Sequence, residues 1–394
     1  MTATVRLGDW VDIQPGYPFR SSEFTDTSEG VRLLRGDNVG QGRLRWDGVK
    51  RWRGDAPAGY ELETGDVVLA MDRPWIGAGL KYANVSDLDR PALLVQRVAR
   101  LRARDGNDQT FLRYVIGGPA FTDYVLGVQT GTAVPHISGR QIAAFTHQLP
   151  HVDAQRAIAE VLGALDDKIA ANDRLVRTQL ELGRLRSEQA REDLARRPLR
   201  EIASVVLGGT PSRANPAFWS NGSVPWLASG AVNRDIVIEP TELITEEALA
   251  RSAAKMMPGG STLLAITGVT LGQVAWLGQP SSGNQSIVGV STGFEVRDAW
   301  LHFAIRAEIP QLMKKATGAA QQHVSKGDVL DLLVDYEDEA VAAHGPIFAA
   351  LLNAATAVEQ ESRSLARLRD TLLPALMTGR LSVKDAENTV SEVV

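Results

Sequence analysis

Apolar positions along the chain fall into two long helical stripes, each preceded by a stretch of short alternating runs. Ile158, Leu162, Leu165, Ile169, Asn172 and Val176 are spaced 4, 3, 4, 3 and 4, which is the a/d seam of a heptad pattern with one polar member. Phe348, Leu351, Ala355, Val358, Ser362 and Leu365 repeat at 3, 4, 3, 4 and 3, again with one polar member. The spacing predicts helices over Asp153 to Ala195 and Phe348 to Leu376. So narrow a stripe must be buried against something. The expected partner of each helix is the other, packed antiparallel; the alternative is that each packs only on its own preceding segment. Roughly 40 residues at ~1.5 Å rise make a spacer about 60 Å long. Pro198 is expected to end the first helix, Pro346 to sit in the first turn of the second, and Gly379 to stop it. The tail after Leu381 is polar and expected to be loose.

Before each helix the period shortens to that of strands. Val31–Leu34, Asp66–Ala70 and Leu93–Leu101 read as strands, as do Val224–Leu227, Ser261–Ile266 and Gln273–Trp276, with Gly and Pro turns between them. Phe111 to Leu126 and Trp300 to Ala316 read as short helices, the second bent at Pro310. These segments repeat each other weakly but in order. Leu7 and Leu199 open the copies, and Gly65-Asp-Val-Val-Leu69 answers Gly260-Ser-Thr-Leu-Leu264 at an offset of 195. Gly131-Thr-Ala-Val-Pro-His-Ile-Ser138 answers Gly318-Ala-Ala-Gln-Gln-His-Val-Ser325 at an offset of 187, which puts His136 and His323 at matching places. A globular unit followed by a helix, twice over, predicts an α+β chain. Two similar heads with small, mostly antiparallel sheets are separated by an antiparallel coiled coil, with an internal pseudo-twofold axis. The expected division is 1–150, 151–197, 198–338, 339–381 and a flexible tail at 382–394.

Composition narrows the chemistry. The 394 residues are 44% apolar and 23% charged, enough for two real cores. The chain has no cysteine, so disulfides and thiolate chemistry are excluded and a reducing, cytoplasmic setting fits. No apolar run of membrane-spanning length and no leader is read. A formal net charge of −5 counts against a free-standing nucleic-acid binder, though not against one whose basic residues are clustered.

Such a cluster exists. Arg32, Arg35, Arg43, Arg45, Lys50, Arg51 and Arg53 interleave with Trp46 and Trp52. Arg presents a fork to guanine edges or phosphate while aromatics pack on sugars and bases, so this is a candidate DNA-facing surface; an exposed hairpin over buried tryptophans is the other reading. Arg73-Pro-Trp75 after a predicted strand is a stronger candidate for a base-reading loop, and Arg20, Lys81 and His136 join the first head's set. The second head has fewer positive charges: Arg213, Arg234, Arg251, Lys255, Lys314, Lys315 and Lys326, of which Arg213 and Lys326 are site candidates. Thr210, Ser212, Thr267, Gln273, Asn284, Gln285, Gln322, His323 and Ser325 supply neutral donors and acceptors, Asn and Gln being able to pair bidentately with adenine. Leu207-Gly-Gly-Thr-Pro-Ser212 lacks the Gly-Lys-Ser/Thr ending of a phosphate loop. Asn215-Pro-Ala-Phe218 departs at Ala217 from the Asn-Pro-Pro-aromatic loop of amino-methyltransferases, with no glycine-rich cofactor loop before it. No second ligand stands near either matched histidine at metal spacing. Catalytic residues and metal ligands are expected to be none, and the chain reads as a binder.

These pieces together resemble the specificity (S) subunit of type I restriction-modification systems. Leu149 to Ile169, followed by Asn172, is very similar to that family's central conserved region, and Leu368 to Leu381 looks like the end of its distal one. Gly208-Gly-Thr-Pro-Ser212 with Asn215-Pro, Trp219 and Val224-Pro-Trp226 resembles the opening of a target-recognition domain, as does Leu7 to Gly16 more faintly. Val341-Ala-Ala-His-Gly-Pro346 departs from the family's usual entry to the second helix. The resemblance implies that each head reads one half of a split, asymmetric DNA target and that the paired helices set the unread gap. It implies two methyltransferase (M) subunits that methylate adenine N6, with S-adenosylmethionine on the M partner and no cofactor on this chain. A restriction (R) subunit would cleave unmodified DNA. A two-headed protein-binding scaffold without DNA specificity is the competing class, and a methyltransferase with a degenerate motif a third.

Overall fold

The computed structural model describes residues 3–131, 134–318 and 322–393. Thr132, Ala133, Ala319, Ala320 and Gln321 of the matched motif lie outside the described residues. The chain forms two compact units, residues 1–167 with 365–394, and residues 168–364. Both long helices cross from one unit into the other.

In the first unit, β1 (Ala3–Arg6) pairs antiparallel with β12 (Thr146–Leu149), bringing the two ends of the head together. Leu7 opens the short helix α1 (Leu7–Trp10), is fully buried, and donates its N–H to the Phe145 carbonyl at 2.7 Å. A five-stranded sheet follows, of β2 (Val11–Pro15), β11 (Val98–Ala103), β6 (Val67–Ala70), β9 (Tyr82–Asn84) and β4 (Gln41–Gly42), in that order. Its first three pairings are antiparallel and the last is parallel. A three-stranded sheet of β10 (Ala92–Leu94), β3 (Val31–Leu34) and β5 (Arg51–Trp52) lies beside it, and β7 (Trp75–Ile76) and β8 (Gly79–Leu80) form a separate hairpin. Helices α2 (Gln109–Gly117), α3 (Pro119–Val128) and α4 (Gly139–Ala144) complete the head.

The second unit repeats this connectivity. Strand β13 (Arg196–Pro198) pairs antiparallel with β23 (Leu333–Asp335), and Leu199 opens α6 (Leu199–Ile202), fully buried, with its N–H on the Leu332 carbonyl at 3.0 Å. Its five-stranded sheet has the order β14 (Ser204–Leu207), β22 (Ile287–Ser291), β19 (Thr262–Ala265), β20 (Val274–Leu277) and β16 (Ile236–Val237). Again three antiparallel pairings are followed by one parallel. A four-stranded sheet runs β17 (Glu242–Ile244), β15 (Val224–Leu227), β21 (Ser281–Gly283) and β18 (Met256–Met257). Helix α7 (Glu246–Arg251), α8 (Glu295–Met313) and α9 (Lys326–Leu330) complete this head. Gly65 and Gly260, matched in sequence, precede β6 and β19 with φ of 89° and 85°, a conformation that costs glycine least.

The long helices are α5 (Val152–Ala190) and α10 (Asp338–Met377). They run antiparallel. In the second unit, Asn172 Nδ2 donates to Glu361 Oε2 at 2.8 Å, while Arg191, just past the end of α5, pairs with Asp335 just before α10. Ile158, Leu162, Leu165, Asn172 and Val176 are buried as the seam requires, and Ile169 is half-buried. On α10, Phe348, Ala355, Ser362 and Leu365 are buried, Val358 is half-buried, and Leu352 takes the buried place expected of Leu351. An 18-residue window of α10 is apolar enough to pass as a membrane span, with a mean hydropathy of 1.5. Phe348, Leu352 and Ala355 of that helix are spent on the core of the second unit.

Several boundaries differ from expectation. Helix α10 starts ten residues earlier than Phe348, so Pro346 lies within the helix rather than in its first turn. Asp338 and Glu339 in the first turn complement the positive helix end. Helix α5 ends at Ala190, not at Pro198, which belongs to the β13 ribbon. The run Leu93–Leu101 is two strands, broken at Arg97 with φ 76°. The first head's late helix is split at Gly118 before Pro119, and the second runs through Pro310 to Met313. The tail contains α11 (Val383–Ser391), capped by Ser382, with Ala386 and Val390 buried. Gly379 does stop α10, at φ 69°.

Candidate nucleic-acid interface

Each head carries the same backbone device beyond its central strand. In the first unit, His136 exchanges both backbone hydrogen bonds with Thr130, at 2.7 and 2.9 Å, and Ile137 N–H reaches the Met71 carbonyl at 2.9 Å. In the second, His323 does the same with Thr317 at 2.9 and 3.0 Å, and Val324 N–H reaches Ile266 at 2.9 Å. The histidine segments also bridge to Asp72 and Thr267 respectively, the residues that leave β6 and β19. A serine capping box follows in each, Ser138 with Gln141 and Ser325 with Asp328. The Ser325 hydroxyl is the main cause holding the Asp328 carboxyl below its usual range. The histidines thus occupy matching places in a shared loop clasp made through the backbone.

What decorates the clasp differs. In the first unit His136 Nδ1 lies 2.6 Å from Asp72 Oδ1, and Asp72 Oδ2 is 3.5 Å from Arg97 Nε. Asp72 and Arg97 border a cleft of about 700 Å³ whose charged lining is Arg35, Lys50, Arg73, Lys81 and Arg97 against Asp37 and Asp72. Five cations over two carboxylates make this cleft electropositive in a chain that is acidic overall. Burial pulls the Lys81 ammonium below its ordinary pKa, with Arg73 and Arg45 pushing the same way against Asp37 and Asp72. Arg73 and Arg97 both hold left-handed backbones, φ 45° and 76°. Such strain in a non-glycine residue persists only where its surroundings impose it, here through Arg73 N–H on Pro135 O at 2.6 Å and Arg97 O on Met71 N–H at 2.8 Å. Arg73 is exposed and has no ion pair among the described residues. The hairpin after it exposes Trp75 and Ile76.

In the second unit the matching surface is neutral. The Thr267 hydroxyl donates to Ser286, Thr210 donates to Gln285 Oε1 at 2.6 Å, and Asn284 Oδ1 accepts from the Ser286 N–H at 3.0 Å. Gln273, Gln285, Gln322 and His323 are exposed nearby in sequence or pairing, and Lys326 opens α9.

Other candidates are occupied elsewhere. Arg51 donates to the Gly30 carbonyl, Lys50 also pairs with Asp26, and Arg53 pairs with Glu29 and Thr27. Arg20 sits loosely by Glu23 at 3.9 Å. Arg213 makes two bonds to Glu242 and stacks 3.5 Å over Trp219, while the backbone carbonyl of Ser212 accepts from Trp219. Arg32 stacks on Trp46 and holds three carbonyls of the 88–91 turn. Half of the Arg/Trp cluster therefore builds the head itself. Asp72 and Arg97 were not foreseen; the Gln96-Arg97 interruption of an otherwise apolar run was the available signal. Among the described residues no group of His, Cys, Asp or Glu converges as a metal site.

Residues 191–333 match the family described as the type I restriction modification DNA specificity domain. The chain is 37% identical over 169 residues to the type I restriction enzyme MjaVIII specificity subunit of Methanocaldococcus jannaschii, covering 42% of this chain and 39% of that one. It is 34% identical over 161 residues to the EcoAI specificity subunit of Escherichia coli, covering 40% of this chain and 27% of the relative. The chain thus spans well under two thirds of the length of either relative. The crystal structure of a type I restriction-modification system S subunit from M. genitalium shares the fold, with a TM-score of 0.54, 15% identity and 96% of each chain covered.

Proposed function

We propose, for a chain that resembles the specificity subunits of type I restriction-modification systems, that it is the non-catalytic DNA-reading subunit of such a complex. Each head reads one half of a bipartite, asymmetric target, and the helix pair sets the gap between halves. M subunits, two per chain, bring S-adenosylmethionine and methylate adenine N6. An R subunit cleaves DNA left unmodified, and the assembly works in the cytoplasm. The chain itself contributes no reacting group.

One observation carries this reading: the two heads share the order of their five-stranded sheets and the histidine clasp, yet dress the same place with different chemistry. Duplicated framework with divergent reading surface is what two unlike half-sites require. Arg35, Lys50, Arg73, Lys81 and Arg97 would meet phosphates and guanine edges in one half. Thr267, Gln273, Asn284 and Gln285 would read the other through neutral hydrogen bonds. The acidic balance of the chain leaves part of the phosphate neutralisation to the M subunits.

Mobility shifts test it with the chain alone, the chain with its M subunit, and the latter with random competitor. Selective, salt-sensitive binding in the complex is expected. Indifference to DNA in every lane would instead favour a protein-binding scaffold. Deleting one heptad within Ala164 to Glu188 shortens the helix by about 10 Å and is expected to change or abolish the tolerated gap while leaving each half-site intact; a changed half-site with the old gap would refute the ruler.

A further inference from the structure

Val269 is fully exposed at the tip of the turn that follows β19. Isolated exposed apolar residues are common and need no explanation, but this one is held in place on both sides. Gly268 N–H donates to the Gln322 carbonyl at 3.2 Å, Leu271 N–H to Gly268 O at 3.1 Å, and Gly272 N–H to Ala265 O at 2.9 Å. Gly268 and Gly272 take φ of 71° and 83°, and Thr270 beside the tip is buried. This hydrogen-bonded turn presents a valine to solvent. At the same topological place in the first unit, directly after β6, the chain exposes Trp75 and Ile76. Both heads thus carry an apolar projection beside the histidine clasp, among the groups assigned above to DNA.

In the major groove the one apolar group on a base edge is the C5 methyl of thymine. We infer that Val269 is a specificity-determining residue of the second head that packs on the methyl group of one thymine in its half-site. The inference rests on the DNA-reading function proposed above. It predicts that one thymine of this half-site, on either strand, is read by its methyl group where Thr267 and Gln273 read by hydrogen bonds.

The test uses the full chain assembled with its M subunit, on the target duplex defined by methylation mapping, with each thymine replaced singly by deoxyuridine. One replacement is expected to weaken wild-type binding about fourfold, the value of one buried methyl. Val269→Ser is expected to bind the thymine duplex as weakly as the wild type binds that deoxyuridine duplex, and to ignore the replacement. Responses at all other thymines stay unchanged, which also reports that the variant is folded. A second half-site in which no thymine responds to the replacement, or a variant that keeps the full response, overturns the inference while leaving the function standing. So does equal weakening of both duplexes by Val269→Ser with the response retained, the signature of insertion between bases. A wild-type complex with no sequence preference sinks the underlying reading instead.

Discussion

The two heads are fastened to the long helices by opposite chemistries. In the first unit a nearly buried carboxylate, Asp166 on α5, accepts from Arg113 at 2.5 Å and Tyr114 at 2.7 Å on α2, and from Arg369 on α10 at 2.7 Å. Burial, and then the neighbouring Asp166, push the Tyr114 hydroxyl well above its usual range, so it stays a donor. In the second unit the residue 190 places on, the same interval that separates the polar seam members Asn172 and Ser362, is Thr356. Among the described residues its hydroxyl bonds only to Leu352 O of its own helix, and its methyl lies against Gly278. There the junction is aromatic instead: Trp300, Phe303 and Phe348 cluster, with Gly183 of α5 leaving room for the Phe303 ring. One fold tolerates either solution. The lesson is that the framework conserves where a helix meets a head, not how.

The sharpest way to break that comparison is to remove each fastening. Asp166→Ala strands the Arg113 guanidinium and the Tyr114 phenol in a mostly buried site and leaves Arg369 with Asp370 alone, and is expected to cost about 3 kcal/mol. Urea unfolding, with hydrogen exchange along α2 to localise the loss, reads it; Thr356→Val at the matched place should change stability by under about 1 kcal/mol. Equal losses would mean the first head does not depend on its ion cluster. Gly183→Ala comes next, because a Cβ there would sit 2.2 Å from the Phe303 ring. Overpacking of this kind costs about 1–3 kcal/mol, and the loss should appear in the second unit alone.

Under the proposed DNA-reading function, the two candidate surfaces separate by charge. Arg73→Ala or Arg97→Ala is expected to weaken binding of the M-bound complex by about 1–3 kcal/mol and to lower the salt slope by about one, whereas Gln273→Ala should leave the salt slope unchanged. Titration of binding against salt distinguishes the two heads directly.

The smallest effect concerns pH. His302 is completely buried in the second unit, its Nε2 without a partner and its Nδ1 3.4 Å from the Thr262 hydroxyl. Burial, aided by Arg306, holds its pKa well below the ordinary 6.5. The unfolded chain therefore binds the proton first as pH falls. The folded state keeps its full stability above 6.5 and loses it progressively below that value, down to the depressed folded pKa. His147 in the first unit is depressed too, by burial, but its bond to the Gln148 carbonyl works against the shift. Melting temperatures between pH 8 and 5.5 should fall less steeply for His302→Gln than for the wild type; an unchanged slope would remove His302 as the cause.

How much of this was legible beforehand depends on the range of the interaction. The helix stripes were readable because a heptad seam is local, and Gly379 and the Gly65/Gly260 pair were readable because backbone conformation selects glycine. The start of α10 is misplaced by the pattern because Pro346 suggests a first turn, while Asp338 and Glu339, eight and seven residues before it, supply the stabilising charge. The division of Leu93–Leu101 into two strands was hidden because Arg97 adopts a left-handed backbone that only tertiary bonds to Met71 impose. In the candidate interface, the type of residue was readable but its employment was not. Arg32 and Arg51 look like Arg73 in sequence, yet they hold backbone carbonyls, and only coordinates separate a structural guanidinium from a free one.

The two-stranded ribbons β1–β12 and β13–β23 bring the entrance and exit of each head side by side. A head closed in this way is a cassette: it attaches through two adjacent strands and can be exchanged without altering the path of the chain on either side. Genetic crossovers falling in residues 3–6 and 146–149, or in 196–198 and 333–335, would therefore exchange a whole head while leaving the rest of the chain unaltered.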